Sequence, residues 1–459
     1  MDKISSSSSS NITLKEEELG DWRKTHFSSE INPSFEGKTV TLMGWISSIR
    51  DHGNIQFIML RDKDGDTQII AKKGQCPDLV YEQVLQLKEH TSLGIHGKII
   101  SQKKAPNGIE VIPLEIKIFS IPVQAPPFMV QNRNPAGIDT RLDYRAIDLR
   151  RKYLQDIFII RNNILKYIRN FLSEEKFIEV TTPKIIATAS EGGTALFPIF
   201  YYEREAFLAQ SPQIYKEQLT MAFEKVFEVG PIFRAEPSRT NRHLSEATSV
   251  DIECAFVDYN DIMSLLEKMI QFIIKSLSED ELIKNSPELD INEKINNNNN
   301  IKSFPRLKYS DLIEKLRNIG ERVRWGDDLS PQVLKKLDED QLGNNFYFIT
   351  DWPTAAKPFY VKENQNDSQI CESFDLMYGP LEISSGSTRI SNKEVLINRM
   401  KKKGLNLNSF DYHLRIFNYG VPPHAGCGLG LERFLMTLTK IDNIRDAILY
   451  PRDIDRLAP

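Results

Sequence analysis

The sequence predicts an α+β protein of two domains, a small β-barrel of about 100 residues followed by a mixed domain of about 300. Three observations predict it. Residues 38–121 alternate in the manner of strands, with one short helix among them. Residues 122–150 are crowded with turn formers: Pro122, Pro126, Pro127, Asn132, Asn134, Pro135 and Gly137. From Lys152 onward, helical and strand-like apolar spacing mix to the end of the chain. The 459 residues leave room for both cores, and a net charge of -4 places any polyanion partner on local patches.

Residues 1–20 read as a disordered polar tail. Ser5 to Ser10 is a homopolymer, Lys15, Glu16, Glu17 and Glu18 follow, and no apolar h-region interrupts them. In the barrel, Val40, Leu42, Gly44 and Ile46 mark a first strand, and Ile55, Phe57, Met59 and Leu60 a second. The turn Asp62-Lys63-Asp64-Gly65 leads to a third with Thr67, Ile69 and Ile70. A short helix over 78–88 precedes strands Ser92–Ile100 and Ile109–Ile121. Such a pattern over 21–122 is that of an OB-fold, a barrel that binds oligonucleotides, although another small barrel fits the alternation equally. Residues 123–150 read as a hinge and 151–459 as the second domain.

There, Leu154, Ile157, Phe158, Ile164, Leu165, Ile168 and Leu172 predict a helix over Lys152–Leu172, with Ile159, Ile160 and Tyr167 as apolar surplus. Strand-like runs follow at Phe177–Val180, Ala206–Leu208, Phe227–Phe233 and Ser249–Val257, then an amphipathic helix over Asp261–Leu277. The asparagine run Asn296–Asn300 makes 285–303 an expected exposed insertion. Cys76, Cys254, Cys371 and Cys427 have no metal-like spacing, and no apolar run is long enough for a membrane span.

Three segments carry candidate chemistry. Val229-Gly230-Pro231-Ile232-Phe233-Arg234-Ala235-Glu236 reads as a strand ending in a basic loop that returns as Ser249–Phe256. An arginine there can fork onto a carboxylate or phosphate, or form an ordinary surface ion pair. Gly426-Cys427-Gly428-Leu429-Gly430-Leu431-Glu432-Arg433 reads as a glycine-rich turn entering a helix, with Arg433 in its first turn. In Leu381-Glu382-Ile383-Ser384-Ser385, strand alternation puts Glu382 and Ser384 on one face, with Asp375 a strand-length upstream. Carboxylates with a hydroxyl suit Mg2+ on a bound phosphate, or simply a solvated edge.

In this order the segments resemble the three motifs of class II aminoacyl-tRNA synthetases: Pro183 in Glu179-Val180-Thr181-Thr182-Pro183, then Phe233 through Leu244, then Gly430-Leu431-Glu432-Arg433. The resemblance implies an OB-fold anticodon-binding domain ahead of a catalytic domain with an antiparallel sheet flanked by helices. Gln210-Ser211-Pro212-Gln213-Ile214-Tyr215-Lys216 resembles the aspartyl members of the archaeal and eukaryotic cytosolic type, whose lysine meets the substrate's side-chain carboxylate.

By that resemblance aspartate falls to Glu191, Gln213, Ile214, Tyr215, Lys216, Arg234, Asp251, Ser385 and Arg389. Asp251 takes the ammonium, Arg389 clamps the carboxylate, and Thr188–Gly193 is a closing loop. ATP falls to Arg234, Ala235, Glu236, Arg242, His243, Leu244, Glu382, Gly430, Leu431, Glu432 and Arg433, and Mg2+ to Glu382, Ser385 and Asp375. Arg234, Glu382 and Arg433 carry catalysis, and Phe57, Gln68 and Glu115 meet the anticodon of tRNA-Asp.

The implied protein is a cytoplasmic homodimer, joined through the Lys152–Leu172 helix and the Pro183 strand, with no membrane contact; a larger multi-synthetase complex is left open. The sequence departs from many eukaryotic cytosolic relatives at Ala247, where they carry an aromatic residue, and in lacking their lysine-rich extension. The alternatives are an asparaginyl-tRNA synthetase, against which Pro212 and Lys216 speak, an ammonia-dependent asparagine synthetase, and an inactive RNA-binding paralogue.

Overall fold

The computed structural model describes residues 13–130, 136–188, 196–280, 303–337, 345–439 and 441–459. The chain divides into two compact units, one up to Thr140 and one from Arg141 onward. The expected insertion 285–303 lies almost wholly outside the described residues.

In the first unit β1 (Thr39–Asp51), β2 (Ile55–Arg61), β3 (Asp66–Lys72), β4 (Ser92–Ser101) and β5 (Ile109–Ser120) close a barrel in the order β1-β2-β3-β5-β4. Helix α1 (Asp78–Val84) lies between β3 and β4 in the chain, as the OB-fold reading requires. Strict alternation in β2 and β3 buries Ile58, Leu60, Ile69 and Ala71 and turns Phe57, Met59, Gln68 and Ile70 outward. Phe57 is therefore not barrel core. The expected free tail is corrected over its last residues. Leu14 packs on the barrel core, the Glu17 N–H donates to the Ile118 carbonyl at 2.7 Å, and the Ile121 N–H to Glu16 at 2.7 Å. One apolar anchor and a strand edge to bond hold a segment whose charge run reads as solvated.

The expected hinge also ends early. Helices α2 (Ile138–Asp143) and α3 (Arg145–Asp148) form within it. Asp148 is fully buried and accepts from Arg145 at 2.9 Å, Arg151 at 3.2 Å and Arg141 at 3.3 Å. Arg141 also forks onto Asp446 at 3.1 and 3.0 Å. Charge pairing with a residue some 300 positions away, invisible to local turn signals, makes residues 141–150 part of the second unit.

That unit is built on an eight-stranded sheet, ordered β12 (Arg306–Lys308), β13 (Phe346–Thr350), β14 (Ser373–Tyr378), β15 (Leu381–Thr388), β16 (His424–Gly430), β11 (Glu246–Ala255), β10 (Lys225–Phe233), β6 (Ile178–Glu179). Only the edge pairs β12–β13 and β10–β6 are parallel. The expected strand at 206–208 is β9 (Arg204–Leu208), in a separate three-stranded sheet. One face of the large sheet presents Val250, Ile252, Ala425, Cys427, Leu429, Phe374 and Leu376 to helices α4 (Lys152–Glu174), α6 (Tyr259–Glu279) and Leu431–Thr439. Opposite parity puts Ser249, Asp251, Glu253, Ser385 and Ser387 on the other face. Asp375, Ser385, Gly428, Asp251 and Glu228 form one rung across β14, β15, β16, β11 and β10.

The segment Gly426–Gly430 is thus strand, not the expected turn. A Cβ on Gly426 would overlap the Glu253 carboxylate and the Ile252 carbonyl, so glycine lets β16 lie beside a strand crowded with acids. The apolar surplus of α4 is largely absorbed within the chain: Ile160 is 1% exposed in the core, and Tyr167 packs beside Phe272. Ile159 stays half-buried.

Replacing Asp148 by alanine should lower the stability of the second unit. Removing one partner of a buried ion cluster costs about 3–5 kcal/mol, and Arg145 keeps the Leu449 and Ile448 carbonyls, which favours the lower end. Urea unfolding should register a loss of about 3 kcal/mol; a change under about 1 would show that the arginines re-pair at no cost.

Candidate functional site

A cavity of about 480 Å³ opens on the polar face of the sheet. Two cations and one anion line its floor, and a second anion, Glu253, is buried just beneath. Lys216 lies in the first turn of α5 (Gln213–Phe223), which follows Pro212 directly. Its ammonium meets Asp251 at 2.9 Å and Glu253 at 3.3 Å and donates to the Cys427 carbonyl at 3.2 Å. Arg389, just past β15, forks onto Glu253 at 2.9 and 3.1 Å, donates to the Ser387 hydroxyl at 2.7 Å, and stacks over Tyr360 at 5.1 Å. Asp251 also accepts from Ser249 at 2.6 Å. All four groups are nearly or wholly buried. Burial alone would discharge Lys216, but Asp251 and Glu253 outweigh it and hold its pKa above the ordinary lysine value. The bidentate grip expected of Arg389 is thus made on Glu253, with the arginine still on the cavity wall.

Behind the floor, Glu217 accepts from the Gln213 amide at 2.6 Å and faces His413 at 3.5 Å and His424 at 3.8 Å. Burial opposes its charge, yet His424, His413 and Arg389 together hold it at about 2. His424 is correspondingly raised: burial pushes it down, and Glu217 more than compensates. His413 is lowered, chiefly by burial.

The upper wall is basic. Arg234, Arg242, His243 and Leu244 come from the loop joining β10 and β11, Gly430 from the end of β16, and Arg433 from the first turn of the last helix. His243 is held below its ordinary value, first by burial and then by Arg433. Arg433 donates to the Glu382 carbonyl at 3.2 Å and lies 3.8 Å from its carboxylate.

A bulge changes the expected facing of β15. Ser384 pairs with Leu376 and Glu382 with Met377, so Ile383 is the extra residue. Glu382 and Ser385 are therefore the pair exposed to the cavity, while Ser384 turns away and donates to the Gly428 carbonyl at 2.8 Å. Asp375 is buried beneath this corner and committed to Lys357.

Several expected contacts are not brought together. Ile214 is in a second apolar core, Tyr215 is not on the cavity wall, and Leu431 is core. Ala235 does not line the cavity, although Glu236 does. Glu432, by contrast, does line the cavity, although its carboxylate is buried and bridges elements, accepting from the Thr248 N–H at 2.9 Å and Arg161 at 3.2 Å. Glu191 lies outside the described residues.

On the barrel, Phe57 stands on the outer face with His52 edge-on at 5.7 Å, and the Gln68 amide donates to Glu110 at 2.6 Å. Glu115 is exposed further along β5, five residues or roughly 15 Å past Glu110, so Glu110 and not Glu115 accompanies Gln68.

Residues 137–454 match the family model described as tRNA synthetases class II (D, K and N), and residues 40–119 match that of the OB-fold nucleic acid binding domain. This chain belongs to the class II tRNA synthetases of the aspartate, lysine and asparagine group. An aspartate–tRNA(Asp/Asn) ligase of Methanocaldococcus jannaschii is 46% identical over 439 residues, covering 95% of this chain and 99% of that one. Among solved structures, asparaginyl-tRNA synthetase from Pyrococcus horikoshii complexed with asparaginyl-adenylate aligns with TM-score 0.89 at 31% identity, covering 95% of this chain and 100% of that one. Aspartyl-tRNA synthetase from Entamoeba histolytica aligns with TM-score 0.79 at 30% identity, covering 97% and 93%.

Sequence reasoning missed several residues at or beneath the cavity. Glu253 could have been found, since it stands two residues from Asp251 and so on the same strand face. Glu217, His413, His424 and Lys357 carry no local signal, because only the fold gathers them.

The Glu217 cluster gives a pH prediction. Its folded pKa, about 2, lies below the ordinary 4.5, so its stabilising contribution is complete above about 4.5 and lost as pH falls toward 2. The stability gap between the native chain and Glu217→Gln, read from urea unfolding at successive pH, should narrow as pH drops through that window. A gap constant with pH would show Glu217 to be neutral in the folded chain.

Proposed function

We propose that this synthetase is an aspartate–tRNA ligase, joining L-aspartate to ATP as aspartyl-adenylate and passing it to tRNA-Asp with release of AMP and pyrophosphate. The observation that carries this reading is the buried Lys216–Arg389 pair on the cavity floor. A substrate ammonium can share Asp251, which frees part of the Lys216 charge for a second carboxylate. An amide in the same place would leave the lysine without a new anion. The fold itself is shared with an asparaginyl enzyme, so the choice of amino acid rests on these side chains.

ATP fits the basic upper wall. Arg234 is exposed into the cavity and can span the aspartate α-carboxylate and the α-phosphate, while Arg242 and Arg433 face the departing pyrophosphate. The attacking nucleophile is the substrate's own carboxylate, so the chain supplies orientation and charge. The oxygen donors Glu382 and Ser385 suit Mg2+, which when bound supplies positive charge to the phosphates. On the barrel, Phe57 offers a stacking surface and Gln68 a hydrogen-bonding amide to an anticodon base. The double name of the archaeal relative favours tRNA-Asn as a second acceptor. No helix among the described residues is long and apolar enough to cross a membrane. The resemblance to cytosolic-type members is what supports a cytoplasmic location.

Lys216→Met should abolish aspartate activation while sparing ATP binding. Loss of a buried charge partner costs about 3–5 kcal/mol, a fall of roughly 100- to 4,000-fold in aspartate-dependent pyrophosphate exchange. Unimpaired exchange in the variant, or native activation of asparagine in preference to aspartate, would defeat the assignment. Charging of tRNA-Asp and tRNA-Asn in parallel reads out the acceptors.

We also propose a homodimer across the edge strand β6. Ile178 is 45% exposed there, beside an open strand edge on which a two-fold mate can pair. A charge at core residue Ile160 would test the fold and not the interface, so the informative variant is Ile178→Glu. Sedimentation should show it as a folded monomer; a dimer as tight as the native one would place the interface elsewhere.

A further inference from the structure

Lys357 follows the short turn Thr354–Ala356 and lines the cavity at the corner that holds Glu382 and Ser385. Its ammonium donates to both oxygens of Asp375, at 2.7 and 2.8 Å, and the Trp352 ring lies over it at 4.4 Å. The pair is largely buried, with side-chain exposures of 13% and 6%. Asp375 stands directly opposite Ser385 across β14 and β15.

Taken alone, Asp375, Glu382 and Ser385 make a corner of hard oxygens that would gather divalent ions. Lys357 alters that account. We propose that Lys357 is a resident cation that keeps Asp375 out of metal coordination, leaving the nucleotide's divalent ion to Glu382 and Ser385. This rests on the ATP-site reading above.

The reasons are geometric. Both Asp375 oxygens are already engaged by one ammonium. A metal at ordinary Mg2+ distance from either oxygen would lie within roughly 5 Å of that ammonium, and like charges at such range repel strongly where water is excluded. The Trp352 face favours a cation where the ammonium stands, so leaving is opposed from both sides. With Lys357 paired to Asp375, the corner leaves the Glu382 carboxylate and the Ser385 hydroxyl open to the cavity. That suits a single divalent ion completed by phosphate oxygens. Lys357 is in this sense a positioning residue: it fixes Asp375 and with it the number of ions the corner accepts.

Mn2+ serves as the probe, counted by electron paramagnetic resonance on the full chain, with and without α,β-methylene-ATP. The native chain should bind Mn2+ at this corner only with the nucleotide. Asp375→Asn should leave that affinity within about threefold, whereas Glu382→Gln should weaken it by about tenfold or more. Lys357→Met should bind an additional Mn2+ without nucleotide, and the double variant with Asp375→Asn should lose it again. Lys357→Arg, which keeps the charge, should bind none. If Asp375→Asn weakens Mn2+ binding as much as Glu382→Gln does, or Lys357→Met gains no ion, the proposal is overturned. Should the native chain bind no Mn2+ with the nucleotide present, the ATP-site reading itself fails and takes this inference with it.

Discussion

The second unit's chemistry depends on one arrangement: the Glu253 carboxylate, fully buried, lying where β16 has no side chain. An isolated carboxylate at that depth would be neutral or destabilising. It is tolerated because Lys216 reaches it from α5 and Arg389 from the end of β15. Three elements distant in sequence are thereby tied to one anion, and the floor of the cavity is their meeting point. Gly426 is the enabling residue, since a Cβ there would displace the acid and scatter both cations. The cost of burying four charges is met by pairing every one of them, which also fixes their positions before any substrate arrives.

That arrangement explains what could be read from the sequence and what could not. Period-two alternation located β2, β3, β10 and β11 closely, because each has one face on a core and strands under that constraint must alternate. Helices α4 and α6 were legible for the matching reason at helical period. The strand Gly426–Gly430 was misread as a turn because its glycines answer to a neighbouring strand and not to local backbone need. Likewise the bulge at Ile383 leaves no trace in composition, and it alone makes Ser385 instead of Ser384 the partner of Glu382. The hinge was overextended because Arg141 and Arg145 find their carboxylates far along the chain. Long-range charge pairing is the class of information that a single sequence withholds.

The two regions of the cavity differ in physical character. Its floor is pre-paired and buried, so a ligand there must exchange partners with groups already satisfied. Selectivity follows from that exchange, since only a ligand bringing both a cation and an extra anion leaves every group with a partner. The upper wall is the reverse. Arg234 is exposed, and Arg242 and Arg433 are partly so, and their charge is available to a polyanion at little cost in lost contacts. His243, held below its ordinary pKa by burial and by Arg433, adds no further positive charge at neutral pH and is a neutral donor or acceptor beside the arginines.

Fold likeness to both an asparaginyl and an aspartyl enzyme then has a simple meaning. The backbone supplies a sheet whose polar face is lined by Ser249, Asp251, Ser385 and Ser387, a carboxylate and hydroxyls that do not by themselves tell one amino acid from another. On the proposed function, discrimination is added by the side chains that reach that face from outside the sheet, foremost Lys216 from the start of α5. A carboxylate and an amide have nearly the same shape, so packing distinguishes them poorly and charge distinguishes them well. A helix terminus set against a fixed sheet is a place where one residue can change specificity without altering a strand register. The aspartate reading therefore rests on the burial and charge of Lys216, and the close overall superposition with an asparaginyl enzyme does not count against it.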